Sequence, residues 1–200
     1  MSNTKTEAAI TGPHKEGLSV AIGLVHWPVL DRDGNTVCTN ITNFDIHDIA
    51  RVARAYGVEQ YYLICKSREQ LMFADRILDH WRTGYAHRFN PMRNKALERV
   101  KSVETLDVAL QDWNRPTRVV ATAARDLDVT KNISFQGLKS EMRENRTKST
   151  LLLFGTGFGL TNQFLHGCDY LLEPIQGGSD DDYRHLSVRS AVSICLDRLL

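Results

Sequence analysis

The chain has 200 residues and a formal net charge of +1, from 25 basic and 24 acidic side chains. Apolar residues make up 42% of the chain and charged residues 24%, which allows a packed core and excludes wholesale disorder. The small net charge excludes a globally basic nucleic-acid coat and an acidic tail protein, although it permits a local basic patch. The length favours one domain.

The ends of the chain and its cysteines indicate the cellular setting. No apolar run approaches the roughly 18 residues that span a membrane, and the first fifteen residues lack the apolar segment of a signal peptide. We therefore expect a cytoplasmic protein without a membrane partner, with residues 1–16 as a disordered tail and 17–200 as a single domain. Four cysteines lie far apart in sequence without a Cys-x-x-Cys pair, so we expect reduced thiols, with Cys65 and Cys195 buried, and no metal.

Short apolar runs alternate with segments of helical spacing along the chain. Strands are predicted at residues 18–25, 61–65, 100–103, 118–124, 149–154 and 170–172. A turn signal at 33–35 predicts a small excursion or hairpin after the first strand. Helices are predicted from an Asn43 or Asp45 cap to Gly57, from Ser67 to about residue 81, and at 106–113, 137–146 and 185–200.

This order of elements predicts the fold class. Continuous apolar strands that alternate with helices are typical of a mostly parallel sheet covered by helices on both faces, an α/β fold. Ligands of such open sheets bind beyond the carboxyl ends of the strands. Three segments follow predicted strands at that edge, namely 121–124, 155–159 and 173–178.

The sequence Gly-Thr-Gly-Phe-Gly at 155–159 follows one strand and precedes a predicted helix. Glycines at such a place let backbone N–H groups approach a ligand closely. The spacing is neither Gly-x-Gly-x-x-Gly nor a Walker A loop, because the third glycine comes too early and no lysine follows. From spacing alone, a ligand loop and a plain tight turn are both open.

Residues 81–101 contain six lysines and arginines and one acidic residue, with Trp81, Tyr85, His87 and Phe89 interleaved. Basic side chains contact phosphates and exposed aromatic rings stack on unpaired bases, so the segment is a candidate RNA contact. The alternative is a solvated loop with its aromatic rings packed on the body. The candidate RNA-binding residues, one of them on the first helix, are Arg54, Arg82, Arg88, Arg93 and Lys95.

Several motifs together resemble those of the SPOUT class of α/β-knot methyltransferases, and more closely a bacterial subgroup of predicted RNA methyltransferases that use S-adenosylmethionine. The resemblance runs from about residue 18 to residue 200. The sequences that carry it are VHWP at 25–28, TNFDIHDIAR at 42–51, LFGTGFGL at 153–160, LEPI at 172–175 and HLSVRSA at 185–191.

The resemblance implies a C-terminal trefoil knot whose loops bind S-adenosylmethionine, in a homodimer formed through the knot region. The partner subunit would complete the site, and no metal would take part. Apolar side chains in these loops would sandwich the adenine ring. The implied cofactor-binding residues are Thr122, Ala123, Gly155, Thr156, Gly157, Pro174, Ile175, His185, Leu186 and Val188.

The candidate catalytic residues follow from a comparison with the ribose 2′-O-methylating branch of this class. Its Asn-x-Gly-x-x-x-Arg motif is changed here to Asp45 and His47, while Arg51 is kept. The glutamate of its second motif is missing, and Ser187 stands where its third motif has asparagine. The resemblance implies that Arg51 positions a phosphate or polarises the acceptor, with Asp45 or His47 as the base. An ion pair between Asp48 and Arg51, three residues apart, is also expected.

The resemblance thus predicts an S-adenosylmethionine-dependent methyltransferase that acts on tRNA or rRNA, with a ribose hydroxyl or a base nitrogen as acceptor. One alternative is a non-catalytic regulatory module that binds S-adenosylmethionine or RNA on the same fold. A second is a doubly wound enzyme that uses another nucleotide, against which the loop without lysine argues.

Overall fold

The structure is a computed structural model that describes residues 17–83, 85–128 and 130–200. The predicted disordered tail, 1–16, lies outside the described residues. The side chains of Ala86 and His87 lie outside them as well.

A seven-stranded sheet forms the centre of the fold. Its strand order is β5-β4-β1-β8-β6-β9-β7 and every pairing in it is parallel, which confirms the predicted sheet. The remaining two strands, β2 and β3, pair antiparallel and form a hairpin around the turn at 33–35. The strands are β1 (Val20–Val25), β2 (Val29–Leu30), β3 (Thr36–Val37), β4 (Gln60–Ile64), β5 (Val100–Val103), β6 (Thr117–Thr122), β7 (Asn132–Ile133), β8 (Ser149–Gly155) and β9 (Tyr170–Leu172).

Helices cover both faces of the sheet, as predicted. One buried apolar cluster joins one sheet face to α1, α2, α4, α6 and α8, and a second joins the other face to α5, α7 and Val29 of the hairpin. The helices are α1 (Asn43–Ala55), α2 (Arg68–Arg82), α3 (Tyr85–Phe89), α4 (Pro91–Leu97), α5 (Leu106–Trp113), α6 (Phe135–Glu144), α7 (Asn162–His166) and α8 (Val188–Leu199).

Helix starts differ from the prediction in three places. One is α6, which begins at Phe135 with Ser134 as its cap and not at 137. The hydroxyl of Thr42 accepts from the backbone N–H of Asp45, so the cap of α1 lies one residue before the predicted Asn43. The hydroxyl of Ser187 likewise caps α8, two residues after the predicted start at 185. Ser67 caps α2 as expected.

The basic segment 81–101 is helical in α3 and α4, and not the loop that was one of its two interpretations. The Asn90 side chain accepts from the N–H of Arg93, and Pro91 at the first turn of α4 suits a helix start. Arg82 donates to the carbonyl oxygens of Leu97 and Val100 and joins the end of α2 to the α4–β5 connection. Its guanidinium therefore serves the fold.

The fold buries the charge of Arg118. Arg118 of β6 is 1% exposed, and its Nε donates to Glu141 Oε1 at 2.8 Å. Its Nη1 donates to the Thr150 hydroxyl at 3.0 Å. This pairing fixes α6 against β6 and β8, the two strands that lead to the site.

Candidate functional site

A cavity of about 1060 Å³ opens at the carboxyl ends of β6, β8 and β9. This is where a parallel sheet is expected to bind its ligand. Of the implied cofactor-binding residues, Pro174 alone is not part of the wall, and it stands between two lining residues, Glu173 and Ile175. The predicted residues that line the cavity are Asp45, Thr122, Ala123, Gly155, Thr156, Gly157, Ile175, His185, Leu186 and Val188.

Close packing requires two glycines of the 155–159 loop, Gly155 and Gly157. A Cβ on Gly155 would lie 2.9 Å from the Leu160 Cγ, and a Cβ on Gly157 would lie 2.8 Å from the carbonyl oxygen of Leu30. Gly157 also has a φ of +59°, which favours glycine. Two backbone hydrogen bonds, Phe158 N–H to Leu30 O and Leu30 N–H to Gly159 O, both 2.9 Å, join this loop to the hairpin. The loop is thereby held at the cavity wall.

A relay of side-chain hydrogen bonds supports the same loop from behind. His26 Nδ1 lies 3.1 Å from the Thr39 hydroxyl, which lies 2.5 Å from the Thr156 hydroxyl, and Thr156 donates to Val25 O at 3.0 Å. All three bonds form when the proton of neutral His26 is on Nδ1. Burial lowers the pKa of His26 to about 4, so the ring is neutral at pH 7.

Asp45 lies in the cavity wall and is 5% exposed. Both of its carboxylate oxygens are engaged, because Arg189 Nη1 donates to Oδ1 at 2.7 Å and the Thr42 hydroxyl donates to Oδ2 at 2.6 Å. Each of these oxygens keeps a second lone pair with which Asp45 can accept a proton. Sequence reasoning missed Arg189, whose one available signal was its place in the HLSVRSA motif.

The predicted ion pair between Asp48 and Arg51 is replaced by another. The Asp48 carboxylate faces Arg189 Nε at 3.6 Å, so Arg189 bridges two carboxylates of α1 from the start of α8. Arg51 and Asp48 are three residues apart, but Arg51 instead lines a separate pocket.

Arg51, Arg54 and Arg93 meet in a second pocket of about 420 Å³ between α1 and α4, which we call the arginine groove. Asn90, Ala55, Met92 and Ala96 complete its described lining, so it has three guanidinium groups and no carboxylate. Such a pocket favours a phosphate.

His47 lies on the same side of α1 as the groove. Its ring meets that of Trp81 edge-on, with centroids 5.3 Å apart. Burial and the positive charges of Arg93 and Arg51 lower the pKa of His47, whereas Asp48 raises it. Within one chain, the candidate base His47 and the candidate Arg51 are therefore separated from Asp45 and the cavity.

The predicted aromatic residues of the 81–101 segment divide between the core and the surface. Trp81 packs against the core and carries the Arg93 guanidinium 5.0 Å from its ring centroid. Tyr85 and Phe89 are 80% and 79% exposed, as stacking on bases requires. Arg88 and Lys95 are exposed on the same short helices.

Nearly the whole described chain matches one known protein family. The family model for SAM-dependent RNA methyltransferases matches residues 19–200. The chain belongs to this family.

Three relatives are 37–39% identical to this chain. An uncharacterised protein of Aquifex aeolicus is 37% identical over 185 residues, covering 90% of this chain and 88% of that one. A protein named tRNA (guanine-N(1)-)-methyltransferase from Oleidesulfovibrio alaskensis is 39% identical over 95% of this chain but only 44% of its own length. One of the same name from Nitratidesulfovibrio vulgaris is 37% identical over 94% of this chain and 43% of its own. This chain thus spans less than half of the two named relatives.

Solved structures share the fold. A probable methylase family protein from Haemophilus influenzae superposes with a TM-score of 0.60 at 20% identity, over 92% of this chain and 64% of that one. TrmJ from Z. mobilis gives 0.58 at 16% identity, over 91% and 68%. An AdoMet-bound rRNA methyltransferase from Sinorhizobium meliloti gives 0.52 at 14%, over 90% and 55%. At these identities the likeness shows a methyltransferase fold, while the passage of this chain through a knot stays a prediction.

The cavity of this family member fits S-adenosylmethionine. Its volume of about 1060 Å³ is just above the range of about 300–1,000 Å³ typical for small-molecule sites, so the cofactor does not exceed the space. Ile175, Leu186 and Val188 give the cavity apolar surface of the kind that an adenine ring packs against, and the glycine loop lines the same space. The carboxylates of Asp45 and Asp126 also line the cavity, each paired with an arginine of the same wall, Arg189 and Arg184.

Two further properties of the described residues complete the description. In the part of the chain that the structure covers, no helix has the length and apolar character to cross a membrane. The same residues hold no group of three or more histidine, cysteine or acidic side chains arranged to bind a metal ion.

Proposed function

We propose that this SAM-dependent RNA methyltransferase methylates tRNA, as a homodimer in the cytoplasm. The observation that carries the proposal is the cavity itself, because the glycine loop, the 173–175 segment and the C-terminal motif meet there around one space large enough for the cofactor.

The two tRNA-named relatives support tRNA as the substrate class. This chain matches 44% and 43% of their lengths, so more than half of each lies outside the match. The guanine-N(1) activity in their names therefore does not transfer to this chain. In these relatives, however, the part that matches this chain is covalently joined to the rest of a protein named for tRNA methylation. That joining places the matching part at a high effective concentration of tRNA.

Bound S-adenosylmethionine supplies an activated methyl group on a cationic sulfur. The chain's own residues then have three tasks, which are to hold the adenosine, orient the acceptor and remove its proton. Ile175 and Leu186 serve the first task. Arg51, a cation without a carboxylate in its pocket, suits the second. Asp45 and His47 are the candidates for the third, and His47 has the advantage that its lowered pKa keeps it neutral at pH 7.

A homodimer would bring the separated groups together. Asp45 and Arg51 are six residues apart on α1, so they point about 120° apart around the helix axis. Exposed apolar side chains on the cavity side, Phe44 at 70% and Leu186 at 43%, suit contact with a second copy. We propose that each arginine groove faces the cavity of the partner and binds an RNA phosphate there.

Transfer of tritiated methyl groups tests the substrate and the role of Arg51. We expect purified protein with labelled S-adenosylmethionine to label unmodified tRNA and not rRNA. Arg51→Ala should lower kcat/KM about 100-fold or more, as loss of a positioned charge does. Arg76→Ala, an exposed arginine on α2, is the matched control and should retain activity. Binding of cofactor and RNA without turnover would favour the regulatory module instead.

Mixing two impaired variants, at a concentration of S-adenosylmethionine below its Kd, tests the dimer. Arg51→Ala and Gly157→Ala chains, refolded together, pair at random into half mixed dimers, each with one intact site. If Arg51 acts across the dimer, the mixture should recover about a quarter of the wild-type activity. No recovery from a mixture that sediments as a dimer would mean that Arg51 acts within its own chain.

A further inference from the structure

Two thiols meet beside the glycine loop, and methyl transfer uses neither of them. The Sγ atoms of Cys38 and Cys65 are 3.3 Å apart, although the residues are 27 positions apart in sequence. Cys38 is exposed and Cys65 is buried. The sequence spacing, which has no Cys-x-x-Cys pair, gave no sign of this contact.

Backbone hydrogen bonds hold the two cysteines in place. The N–H of Cys65 donates to Val103 O at 3.0 Å, which fixes Cys65 to the end of β5. His26 N–H donates to Ile64 O at 2.8 Å, and Thr39 N–H donates to His26 O at 2.9 Å. The segment after β3 is thus fastened to the end of β1, which is itself paired with β4. The two thiols therefore meet because Cys65 follows β4 and Cys38 lies in a segment that is bonded to the end of the neighbouring β1.

We propose that Cys38 and Cys65 form a modification site, a dithiol that a hydroperoxide oxidises to an intramolecular disulfide. In the first step, Cys38 thiolate attacks a peroxide oxygen and gives a sulfenic acid and hydroxide. In the second, the Cys65 sulfur displaces the sulfenic oxygen, which leaves as water with the proton of the Cys65 thiol. Two thiols and one hydrogen peroxide thus give one disulfide and two waters, and the two electrons pass from sulfur to peroxide.

Exposure assigns the order of these steps. Cys38 is open to solvent, so peroxide reaches it directly. Burial, together with the contact with Cys38, raises the pKa of Cys65 to about 12, which keeps this thiol protonated and slow to react with peroxide on its own. Its neighbour at 3.3 Å makes it the resolving thiol.

Oxidation should reach the cofactor cavity through Thr39. The two Sγ atoms are 3.3 Å apart. To form an S–S bond of about 2.05 Å they must approach each other by about 1.3 Å. Because Cys65 is fixed in the sheet, the movement falls on Cys38 and on the adjacent Thr39, whose hydroxyl lies 2.5 Å from that of Thr156. Asn40 and Thr42, next along the chain, line the cavity. We expect the disulfide to weaken S-adenosylmethionine binding about fivefold, the equivalent of one neutral hydrogen bond; this second effect rests on the proposed function.

Peptide mapping tests the modification site directly. Full-length protein is treated with graded hydrogen peroxide, alkylated, digested without reductant and analysed by mass spectrometry. We expect a Cys38–Cys65 cross-linked peptide that dithiothreitol reverses, before Cys168 or Cys195 changes. Cys38→Ser should abolish the cross-link and leave Cys65 reduced, whereas Cys168→Ser, at another buried cysteine, should leave it intact. Sulfinic or sulfonic acid at Cys38 with Cys65 still reduced would overturn the proposal, as would a cross-link between two chains.

Calorimetric titration of the reduced and oxidised forms separates this proposal from the function. An unchanged affinity for S-adenosylmethionine in fully cross-linked protein would refute the coupling to the cavity. Absence of binding by the reduced, folded protein would refute the proposed function while the peptide map still decides on the disulfide.

Discussion

Replacing Gly157 with alanine would place a methyl group against the carbonyl oxygen of Leu30, at the edge of the cofactor cavity. The added Cβ would lie 2.8 Å from that oxygen and 3.3 Å from Thr39 Cγ2. The residue would also have to adopt a φ of +59° with a side chain. Gly57→Ala is a matched control, because Gly57 has a φ of +73° but no atom within 4 Å of its Cβ position.

The two variants share one cost and differ in another. A left-handed conformation costs an L-residue about 1–2 kcal/mol. At Gly157 the methyl group also forces the loop away from the hairpin, at the expense of one or both hydrogen bonds that join them, each worth about 0.5–1.5 kcal/mol. We therefore expect Gly57→Ala to lose about 1–2 kcal/mol of unfolding free energy and Gly157→Ala about 2–4 kcal/mol.

Urea unfolding and calorimetry measure these effects. We expect Gly57→Ala to keep the wild-type affinity for S-adenosylmethionine, because Gly57 follows the far end of α1. Gly157→Ala should bind at least about tenfold more weakly, which corresponds to about 1.4 kcal/mol. Equal losses of stability in the two variants, with both affinities unchanged, would refute the reasoning that the loop is held by close packing at a cofactor site.

Two further predictions concern stability. His26 has a folded pKa of about 4 and an ordinary pKa of 6.5. Above pH 6.5 its neutral ring therefore contributes about 3 kcal/mol to the free energy of unfolding, and this contribution is lost as the pH falls from 6.5 to 4. Urea unfolding from pH 7 to 4 should show this loss in the wild type, and a His26→Gln variant with the same pH dependence would contradict the assignment. Glu141→Gln leaves the buried Arg118 guanidinium with a weaker partner. Because Glu141 is a third exposed, we expect the free energy of unfolding to fall by about 2–3 kcal/mol, less than for a fully buried pair. In the same thermal and urea measurements, Glu144→Gln, at an exposed neighbour on α6, should leave the stability unchanged.

Three predicted elements match the structure to the residue, namely the strands at 100–103 and 170–172 and the helix at 106–113. The helix is marked by apolar residues at helical spacing. Helices α3 and α4 have five and seven residues, too few for a periodic pattern, and the many basic residues of this segment resemble those of a solvated loop. The available signal was the pair Asn90 and Pro91, which mark the start of α4.

The cavity lining was predictable and its polar network was not. Strand ends in a parallel sheet meet at one edge, so 121–124, 155–159 and 173–178 all contribute to the wall. The Asp45–Arg189 pair joins residues 144 positions apart, and the Cys38–Cys65 contact depends on the sheet edge. Neither follows from local sequence. The separation of Arg51 from Asp45 follows from helix geometry, but which side meets the cavity depends on packing.

Calorimetric titration with S-adenosylmethionine tests the central claim, that the cavity at the carboxyl ends of β6, β8 and β9 is the cofactor site. We expect S-adenosylmethionine and S-adenosylhomocysteine to bind with one site per chain at micromolar Kd, with ATP and NAD showing no binding, and Gly157→Ala to weaken both sulfur nucleosides. A folded wild-type protein that binds neither of them, or a Gly157→Ala variant that binds them as tightly as wild type, would contradict it.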